Sequence, residues 1–253
     1  MLSLYSFQNQ HGQIKKLIHR TVGAPLLRQS RLHATTLLEW NDCMHINGSW
    51  QGFILPNIIR FPATIVAKSY VEAQSDTLTF GFLSRIDPKK GLELLFHALT
   101  HIDFDYKIRI AGSGDENYVL SLKNLSEELG LANKIDWCGW KNGDEKFEFL
   151  QSIDIFVLTS YNENFANTVI ESLVIGTPVF LSNGVGLANY INENNLGWTC
   201  DTDIASISEC LRLIYSQRDK LLSMQKRAPD LIKKDFSKEN LAREYTAAYQ
   251  QIA

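Results

Sequence analysis

The sequence predicts an α/β fold, a doubly wound parallel sheet preceded by an amino-terminal helical fragment. Short, β-rich apolar runs alternate with segments of helical periodicity from about residue 72 to about residue 220, and short loops join them. The run at 153–159 is apolar except for Asp154, as is typical of a strand buried on both faces. Hydrophobic residues make up 45% of the 253 residues and charged residues 21%, the balance of a globular protein.

Local signals assign the elements of this sheet in order. Apolar, β-rich runs predict strands at residues 77–84, 107–111, 134–138, 153–159 and 179–181. Helical periodicity predicts one helix that begins at Pro88 and others at 118–129, 144–151 and 165–175. Asp87 is placed to cap the first of these helices, while Gly130 and Gly176 are placed to end two others.

Both ends of the chain lie outside the alternation. Residues 1–60 predict one or two helices, and a last helix is predicted from Ser237 onward because apolar and aromatic residues recur there at helical spacing. We therefore expect three parts: residues 1–60, residues 61–235 with the sheet, and a carboxy-terminal helix within 236–253.

Charge is unevenly distributed along the chain. The formal net charge is −3, which gives no overall attraction to nucleic acid. Residues 1–38 carry Lys15, Lys16, Arg20, Arg28 and Arg31 but no Asp or Glu. This segment can contact an anionic membrane surface or an acidic partner, although a helix with a solvated basic face explains the same pattern.

The cysteines, the start of the chain and its hydropathy predict a cytoplasmic protein. Cys43, Cys138, Cys200 and Cys210 show neither Cys-x-x-Cys pairing nor metal-ligand spacing, so they predict buried thiols in a reducing compartment. The first 13 residues lack the pattern of a secretory signal. No uncharged apolar stretch approaches the ~20 residues that span a bilayer.

Two glutamates flank the start of the predicted helix 165–175, whose first amide N–H groups can bind phosphate oxygens. Asn164 or Asn162 is placed to cap this helix. A carboxylate accepts hydrogen bonds from hydroxyls, so Glu171 suits a ribose diol and Glu163 a sugar beyond the phosphates. Either glutamate taken alone is better explained as a surface acid near a helix start, and the neighbouring motifs reverse that judgement.

Two cations follow the first strand of the same predicted sheet. Arg85 and Lys90 lie in the loop after this strand, and such loops all open on the carboxyl edge of a parallel sheet, where ligands bind. Together they can neutralise a diphosphate without a metal, through a planar guanidinium and a mobile ammonium. A solvated lysine pair, Lys89-Lys90, is the other interpretation, but cations are unfavourable at a helix start.

Glycines at the ends of the next two strands allow a ligand to approach the backbone. Gly112 and Gly114 follow the second strand, but Asn117 leaves a Gly-x-Gly-x-x-Gly pattern incomplete, so a structural turn is the better interpretation. Gly139 and Trp140 follow the third strand, where the backbone can meet a base edge and the indole can flank it. Packing of the tryptophan in the core or at its rim is equally compatible with the pattern.

The segments 81–91, 111–115 and 163–178 together resemble the donor-binding domain of glycosyltransferase family 4, whose members are retaining enzymes of the GT-B fold. The order and spacing of the motifs make the resemblance specific, and it covers about residues 55–250. Pro56-Asn57-Ile58 resembles the Pro-Asn-Gly linker between the two domains of the family, with Ile in place of Gly.

The resemblance implies a role for each matching residue. Those that match Arg85 and Lys90 hold the diphosphate and stabilise the charge of the leaving group. The residue that matches Glu163 contacts the transferred sugar, and the one that matches Glu171 contacts the ribose.

The chain departs from the family pattern at Ala166 and within residues 1–55. Phe165 and Ala166 match residues whose backbone N–H groups bind the donor, but the family usually has Gly in place of Ala166, and we expect one methyl group to be tolerated inside a helix start. Residues 1–55 resemble only the end of the family's acceptor-side domain. We therefore expect either a truncated chain or a separate polypeptide that supplies the rest of that domain.

The resemblance implies a hexosyltransferase that moves a sugar from a nucleoside-diphosphate sugar to a glycan or lipid-linked acceptor in the synthesis of bacterial surface polysaccharides or glycoconjugates. It implies no cofactor and no metal, and the chain would supply the donor half of the site. One alternative is a non-catalytic nucleotide-sugar-binding module that partners a separate acceptor domain. Another is a sugar-nucleotide epimerase of the same fold, whereas the incomplete glycine pattern disfavours a nicotinamide-dependent oxidoreductase.

Overall fold

The computed structural model describes residues 12–27, 30–61 and 77–251. They fall into two compact units. The first unit contains the described residues up to Ile58 together with those from Phe236 onward, and the second contains the described residues between Ile59 and Asp235.

The amino-terminal part of the first unit is helical and then forms a small parallel sheet. Its elements are α1 (Gly12–Ile18), a π-helical turn (His19–Gly23), α2 (Ala24–Leu27), β1 (Leu32–Ala34), α3 (Leu37–Ile46) and β2 (Gly52–Ile54). Strands β1 and β2 pair in parallel, with His33 opposite Phe53. The prediction for this region named only helices, because strands of three residues give no periodic signal.

The second unit is built on a six-stranded parallel sheet, which confirms the predicted α/β fold class. Its strands are β3 (Leu78–Leu83), β4 (Tyr106–Ala111), β5 (Ile135–Gly139), β6 (Ile155–Leu158), β7 (Val179–Ser182) and β8 (Gly197–Cys200). They lie in the order β5-β4-β3-β6-β7-β8, so the strand order reverses between β3 and β6. In doubly wound sheets, ligands bind beyond the carboxyl ends of the strands at this reversal.

Helices connect these strands and continue beyond them. They are α4 (Leu92–Leu99), α5 (Glu116–Glu128), α6 (Gly143–Gln151), α7 (Asn167–Val174), α8 (Ala188–Asn194), α9 (Ile204–Ser216) and α10 (Leu221–Asp235). The sequence analysis did not assign β8 or the helices from α8 to α10. In β8 only Trp198 is buried, and this edge strand lacks the continuous apolar run that marked β6.

The helix predicted to begin at Pro88 begins four residues later. Pro88–Lys90 form a single 3-10 turn, in which the Asp87 side chain accepts a hydrogen bond from the Lys89 amide (3.0 Å). Gly91 then adopts a left-handed conformation (φ 65°), which interrupts the helix before Leu92. The capping prediction for Asp87 is therefore confirmed, but the cap serves a short turn that holds Lys89 and Lys90 outside α4.

The core of the second unit lies on both faces of the sheet. All four residues of β6 are buried, as the apolar run at 153–159 predicted. The large side chains that are fully buried include Phe80 and Phe82 of β3, Phe96 of α4, Phe156 of β6 and Phe180 of β7. Complete burial of one such side chain contributes about 1.5–3 kcal/mol, so the central strands form a rigid support for the loops at their ends.

The carboxy-terminal helix predicted from Ser237 onward is α11 (Lys238–Gln250), which belongs to the first unit and is capped by Ser237. Tyr245 and Tyr249 lie one turn apart and contact the small sheet: Tyr245 packs edge-on against His33, and Tyr249 against Phe53. The Tyr245 hydroxyl also donates a hydrogen bond to the Pro56 carbonyl (3.0 Å). These contacts join the last helix to β1, β2 and the start of the predicted linker.

Candidate functional site

The residues predicted for the diphosphate and the sugar lie in loops at one edge of the large sheet. Arg85 and Lys90 follow β3, and Glu163 follows β6, the two strands between which the order reverses. Because all six strands are parallel, both loops open at their carboxyl ends.

Backbone hydrogen bonds join the loops after β3, β6 and β7 to one another. The Tyr161 amide donates to the Lys89 carbonyl (2.9 Å), and the Thr159 hydroxyl donates to the Gly91 carbonyl (3.0 Å). The Glu163 backbone amide donates to the Gly184 carbonyl (2.9 Å), and the Glu163 backbone carbonyl accepts from the Gly186 amide (2.8 Å). The backbone positions of Lys90 and Glu163 are therefore fixed by the same network.

Two glycines make this close approach possible. A Cβ atom on Gly91 would overlap the Thr159 carbonyl oxygen, and a Cβ atom on Gly184 would overlap the carbonyl oxygens of Ser160 and Tyr161. Backbone atoms cannot move aside as the end of a flexible side chain can, so any larger residue would force these loops apart.

Lys90 and Glu163 form an ion pair through Nζ and Oε2. The Lys90 side chain is only 10% exposed, and that of Glu163 is 24% exposed. A lysine buried to this extent requires a partner for its charge. The sequence analysis assigned the two residues to different parts of a ligand, and the structure brings them into direct contact.

Glu171 also pairs with a lysine, through its Oε1 and the Nζ of Lys146. Glu171 lies on α7 with its side chain 11% exposed, and Lys146 comes from the neighbouring helix α6. Sequence reasoning missed Lys146, because no local spacing links residues 25 positions apart on two helices. The periodicity that predicted α6 placed Lys146 on a helix but gave no partner for it.

Arg85 is exposed and forms no ion pair with any residue in the described ranges. The next residue, Ile86, donates its amide to the Ser113 carbonyl at 2.8 Å, which ties the Arg85 loop to the loop after β4. Cβ atoms on Gly112 and Gly114 would overlap the carbonyl oxygens of Ser84 and Ile86. Loop packing alone therefore accounts for both glycines, and their contact with a donor stays a prediction.

The end of β5 presents an exposed indole. Trp140 is 50% exposed, so it belongs to the rim and not to the core, and its Nε1 donates a hydrogen bond to Asn142 Oδ1. Gly139 is left-handed (φ 66°), with no atom within 4 Å of a Cβ built on it, and its carbonyl accepts from the Gly112 amide at 2.8 Å. This geometry leaves space beside the strand end for a planar group.

The start of α7 differs from the prediction. The helix begins at Asn167, and Ala166 precedes it in a left-handed conformation (φ 59°, ψ 77°). Ala166 holds the N-cap position and makes no side-chain cap, so neither Asn164 nor Asn162 takes that position as the sequence had suggested. Asn164 and Phe165 are both buried, and they lead into the helix as part of the loop. The methyl group of Ala166 therefore strains the backbone in this left-handed conformation, and the expectation that it sits inside a helix start does not apply.

Burial and hydrogen bonds raise the pKa of phenol and thiol groups in the second unit. Burial, then the hydrogen bond to Glu93, raises the pKa of the Tyr118 phenol, which therefore stays protonated and donates to that carboxylate. All four cysteines are free; Cys43 and Cys210 are buried as predicted, whereas Cys138 and Cys200 are half-buried. The hydrogen bond with Cys210, then burial, raises the pKa of the Cys200 thiol.

No cluster of three or more His, Cys, Asp or Glu side chains suited to a metal ion occurs within residues 12–27, 30–61 and 77–251. Among the helices of those same ranges, none combines the length and the apolar character needed to cross a bilayer.

Comparison with protein families and curated proteins gives consistent matches. The family model described as Glycosyl transferases group 1 matches residues 68–231. The chain is 30% identical over 187 residues to an uncharacterized glycosyltransferase of Methanocaldococcus jannaschii. The matched region covers 71% of this chain and 46% of that protein. It is 24% identical over 188 residues to the lipopolysaccharide core biosynthesis glycosyltransferase LpsE of Rhizobium meliloti, with 74% and 53% covered. The chain thus spans about half the length of these curated relatives.

Solved structures share the fold. Sucrose-phosphate synthase of Thermosynechococcus elongatus superposes with a TM-score of 0.83 at 18% identity, over 100% of this chain and 66% of that one. Anabaena HepE in complex with UDP-glucose superposes with a TM-score of 0.78 at 16% identity, over 96% and 70%. At these identities the likeness concerns the fold, and it agrees with the GT-B architecture expected from the sequence.

We predict that Ala166→Gly stabilises the second unit. A left-handed residue other than glycine costs roughly 1–2 kcal/mol, and the greater freedom of glycine in the unfolded chain offsets about 0.4–1 kcal/mol of that gain. The melting temperature measured by calorimetry should rise by about 1–4 °C. Ala205→Gly in α9 is the matched control and should lower it, because Ala205 is exposed and right-handed helical. An equal loss of stability in both variants would contradict the strain at Ala166.

Proposed function

We propose, because the chain belongs to the family Glycosyl transferases group 1, that it binds a nucleoside-diphosphate sugar and forms the donor half of a retaining glycosyltransferase. One observation carries the proposal. Exposed Arg85 and the Lys90–Glu163 pair follow strands β3 and β6 at the carboxyl edge of the sheet, and the Lys146–Glu171 pair includes α7, whose N-cap residue Ala166 has no side-chain cap. The amide groups at a helix start and the cationic side chains can bind phosphate oxygens, whereas the carboxylates can accept hydrogen bonds from sugar hydroxyls.

The diphosphate would take the positive part of this site. The exposed Arg85 guanidinium offers a planar fork of donors to phosphate oxygens, and the amides at the start of α7 offer others. Lys90 adds a second cation on a backbone that the loop network holds in place. These groups would stabilise the charge that develops on the departing nucleoside diphosphate, without a metal.

Binding of the donor would exchange partners in the Lys90–Glu163 pair. A diphosphate carries more charge than one carboxylate, so it competes with Glu163 for the Lys90 ammonium. The Glu163 carboxylate would then accept hydrogen bonds from hydroxyls of the transferred sugar. Lys90 would contact the diphosphate of the donor and Glu163 its sugar.

We propose further that the sugar goes to a glycan or lipid-linked acceptor in the synthesis of surface polysaccharides, as the names of relatives such as LpsE suggest for those proteins. No side chain in the described ranges stands out as a general base, which is in keeping with a reaction in which the departing phosphate activates the acceptor. Because the chain spans about half of its curated relatives, the acceptor side would come from a further part of the protein or from a partner chain.

Arg85→Ala should weaken binding of a nucleoside diphosphate by about ten- to a hundredfold, since a hydrogen bond to a charged group contributes about 1.5–3 kcal/mol. Binding of the nucleoside alone should not change. Isothermal titration of the full chain with UDP and GDP, and with uridine and guanosine, measures both. Lys107→Ala is the matched control, because this exposed lysine lies near the amino end of β4, away from the predicted site. Equal losses for nucleoside and diphosphate would exclude a phosphate role for Arg85.

The amino-terminal helices carry an exposed apolar stripe, which supports a peripheral contact with an anionic membrane. Ile14, Leu17, Ile18, Val22 and Leu26 are all more than half exposed. Four of these residues recur every fourth position and so lie along one side of the helical segment 12–27. Lys15, Lys16 and Arg20 lie on the same segment, and a basic amphipathic helix fits an anionic lipid surface.

Removal of the stripe tests the membrane contact. Ile18→Ser combined with Leu26→Ser should abolish sedimentation of the chain with vesicles of equal parts phosphatidylglycerol and phosphatidylcholine, while Leu213→Ser should not, since Leu213 is exposed on α9 in the other unit. Wild-type binding should also weaken with added salt, because each Lys or Arg near an anionic surface contributes about 1 kcal/mol. Equal binding to phosphatidylcholine alone, or no binding, would rule out this surface.

A further inference from the structure

We propose that Lys146 and Glu171 together bind the ribose of the nucleotide, and that Lys146 makes the site select ribonucleotides over 2′-deoxyribonucleotides. This inference rests on the proposed binding of a nucleoside-diphosphate sugar. It assigns a specificity-determining role to Lys146, a residue that sequence reasoning did not single out.

The pair offers one acceptor and one donor side by side. Lys146 Nζ contacts Oε1 of Glu171, and within the described ranges no hydrogen bond or ion pair involves the other oxygen, Oε2. Oε2 can therefore accept a hydrogen bond from one hydroxyl. An ammonium has three donors, so Nζ can give a second hydrogen to the oxygen of the neighbouring hydroxyl. A cis diol, in which each hydroxyl both donates and accepts, matches this arrangement.

The position of the pair agrees with the order of groups in a nucleotide. Lys146 lies one helical turn after Asn142, the residue that receives the hydrogen bond of the exposed Trp140 indole. Glu171 lies about one turn, or ~6 Å, after Asn167, where α7 starts. Lys146 is thus one helical turn from the residue that contacts the predicted base platform, and Glu171 is one turn from the predicted phosphate site. A ribose likewise joins a base to its phosphates.

The lysine also determines how much of the carboxylate a ligand can use. With Lys146 on Oε1, one acceptor site of Glu171 is occupied, while the ammonium offers a donor beside the sites that remain. Without the ammonium, both oxygens would be acceptors but the only donor beside them would be lost. The preference for a diol should therefore depend on Lys146 as well as on Glu171.

An ion pair that merely holds α6 against α7 is the competing explanation, and the two differ in what they predict. A structural pair would change the stability of the protein when Lys146 is replaced, and it would weaken all nucleotides alike. If the pair binds the ribose, replacing Lys146 would change the ratio of the affinities for ribonucleotides and for their 2′-deoxy forms. That ratio is independent of any general loosening of the site.

Titration calorimetry of the full chain with UDP, 2′-deoxy-UDP, GDP and 2′-deoxy-GDP measures this ratio. The wild type should bind at least one ribonucleotide about tenfold or more tightly than its deoxy form, as expected for hydrogen bonds to charged groups. Lys146→Met should lose about tenfold in affinity for that ribonucleotide while the deoxy form changes by less than about threefold. Lys146→Arg, which keeps charge and donors, should retain the preference, and the control Lys107→Met should match the wild type.

Three other outcomes have distinct meanings. An unchanged ribonucleotide preference in Lys146→Met overturns the inference but leaves the proposed function standing, as does a wild type without any preference. Failure of the wild type to bind either ribonucleoside diphosphate overturns both. If Lys146→Met does not fold, as judged by its melting temperature, the shorter Lys146→Ala applies the same criterion.

Discussion

The close backbone contact of three loops at one edge of the sheet is the constraint on which the candidate site depends. The loops after β3, β6 and β7 exchange backbone hydrogen bonds of 2.8–2.9 Å through Lys89, Tyr161, Glu163, Gly184 and Gly186. Each such bond contributes only about 0.5–1.5 kcal/mol on balance, so their main effect is geometric. They hold Lys90 and Glu163 at fixed places, and only glycine at positions 91 and 184 permits the approach.

Charge compensation is the second feature that organises the site. The side chains of Lys90 and Glu171 are only 10% and 11% exposed, and each has a partner of opposite charge, Glu163 and Lys146 respectively. Removing one partner of such a pair would leave a buried charge uncompensated, which is far costlier than losing an exposed pair. A ligand that separates Lys90 from Glu163 must therefore replace that contact by better ones, and a nucleoside-diphosphate sugar carries both the anionic and the hydroxyl groups to do so. Arg85, exposed and without such a pair among the described residues, needs no exchange.

Sequence reasoning could predict the parts of this arrangement that depend on local pattern. The apolar run of β6 and the parallel alternation gave the sheet, and the rule that loops share one edge placed Arg85, Lys90 and Glu163 together. It could not predict Lys146, whose partner is distant in the chain, nor the left-handed Ala166, since alanine itself carries no signal of such a conformation. The pattern already favoured a structural turn at Gly112 and Gly114, but the close approach of these glycines to the neighbouring loop appears only in three dimensions.

A crystal structure of the chain with UDP or GDP bound tests the central claim most directly. The account predicts the diphosphate at the start of α7, with Lys90 Nζ within hydrogen-bond distance of a phosphate oxygen and withdrawn from Glu163. It also predicts the Arg85 guanidinium on the same diphosphate. A nucleotide bound elsewhere, or one bound at this edge while the Lys90–Glu163 pair stays closed, would contradict it.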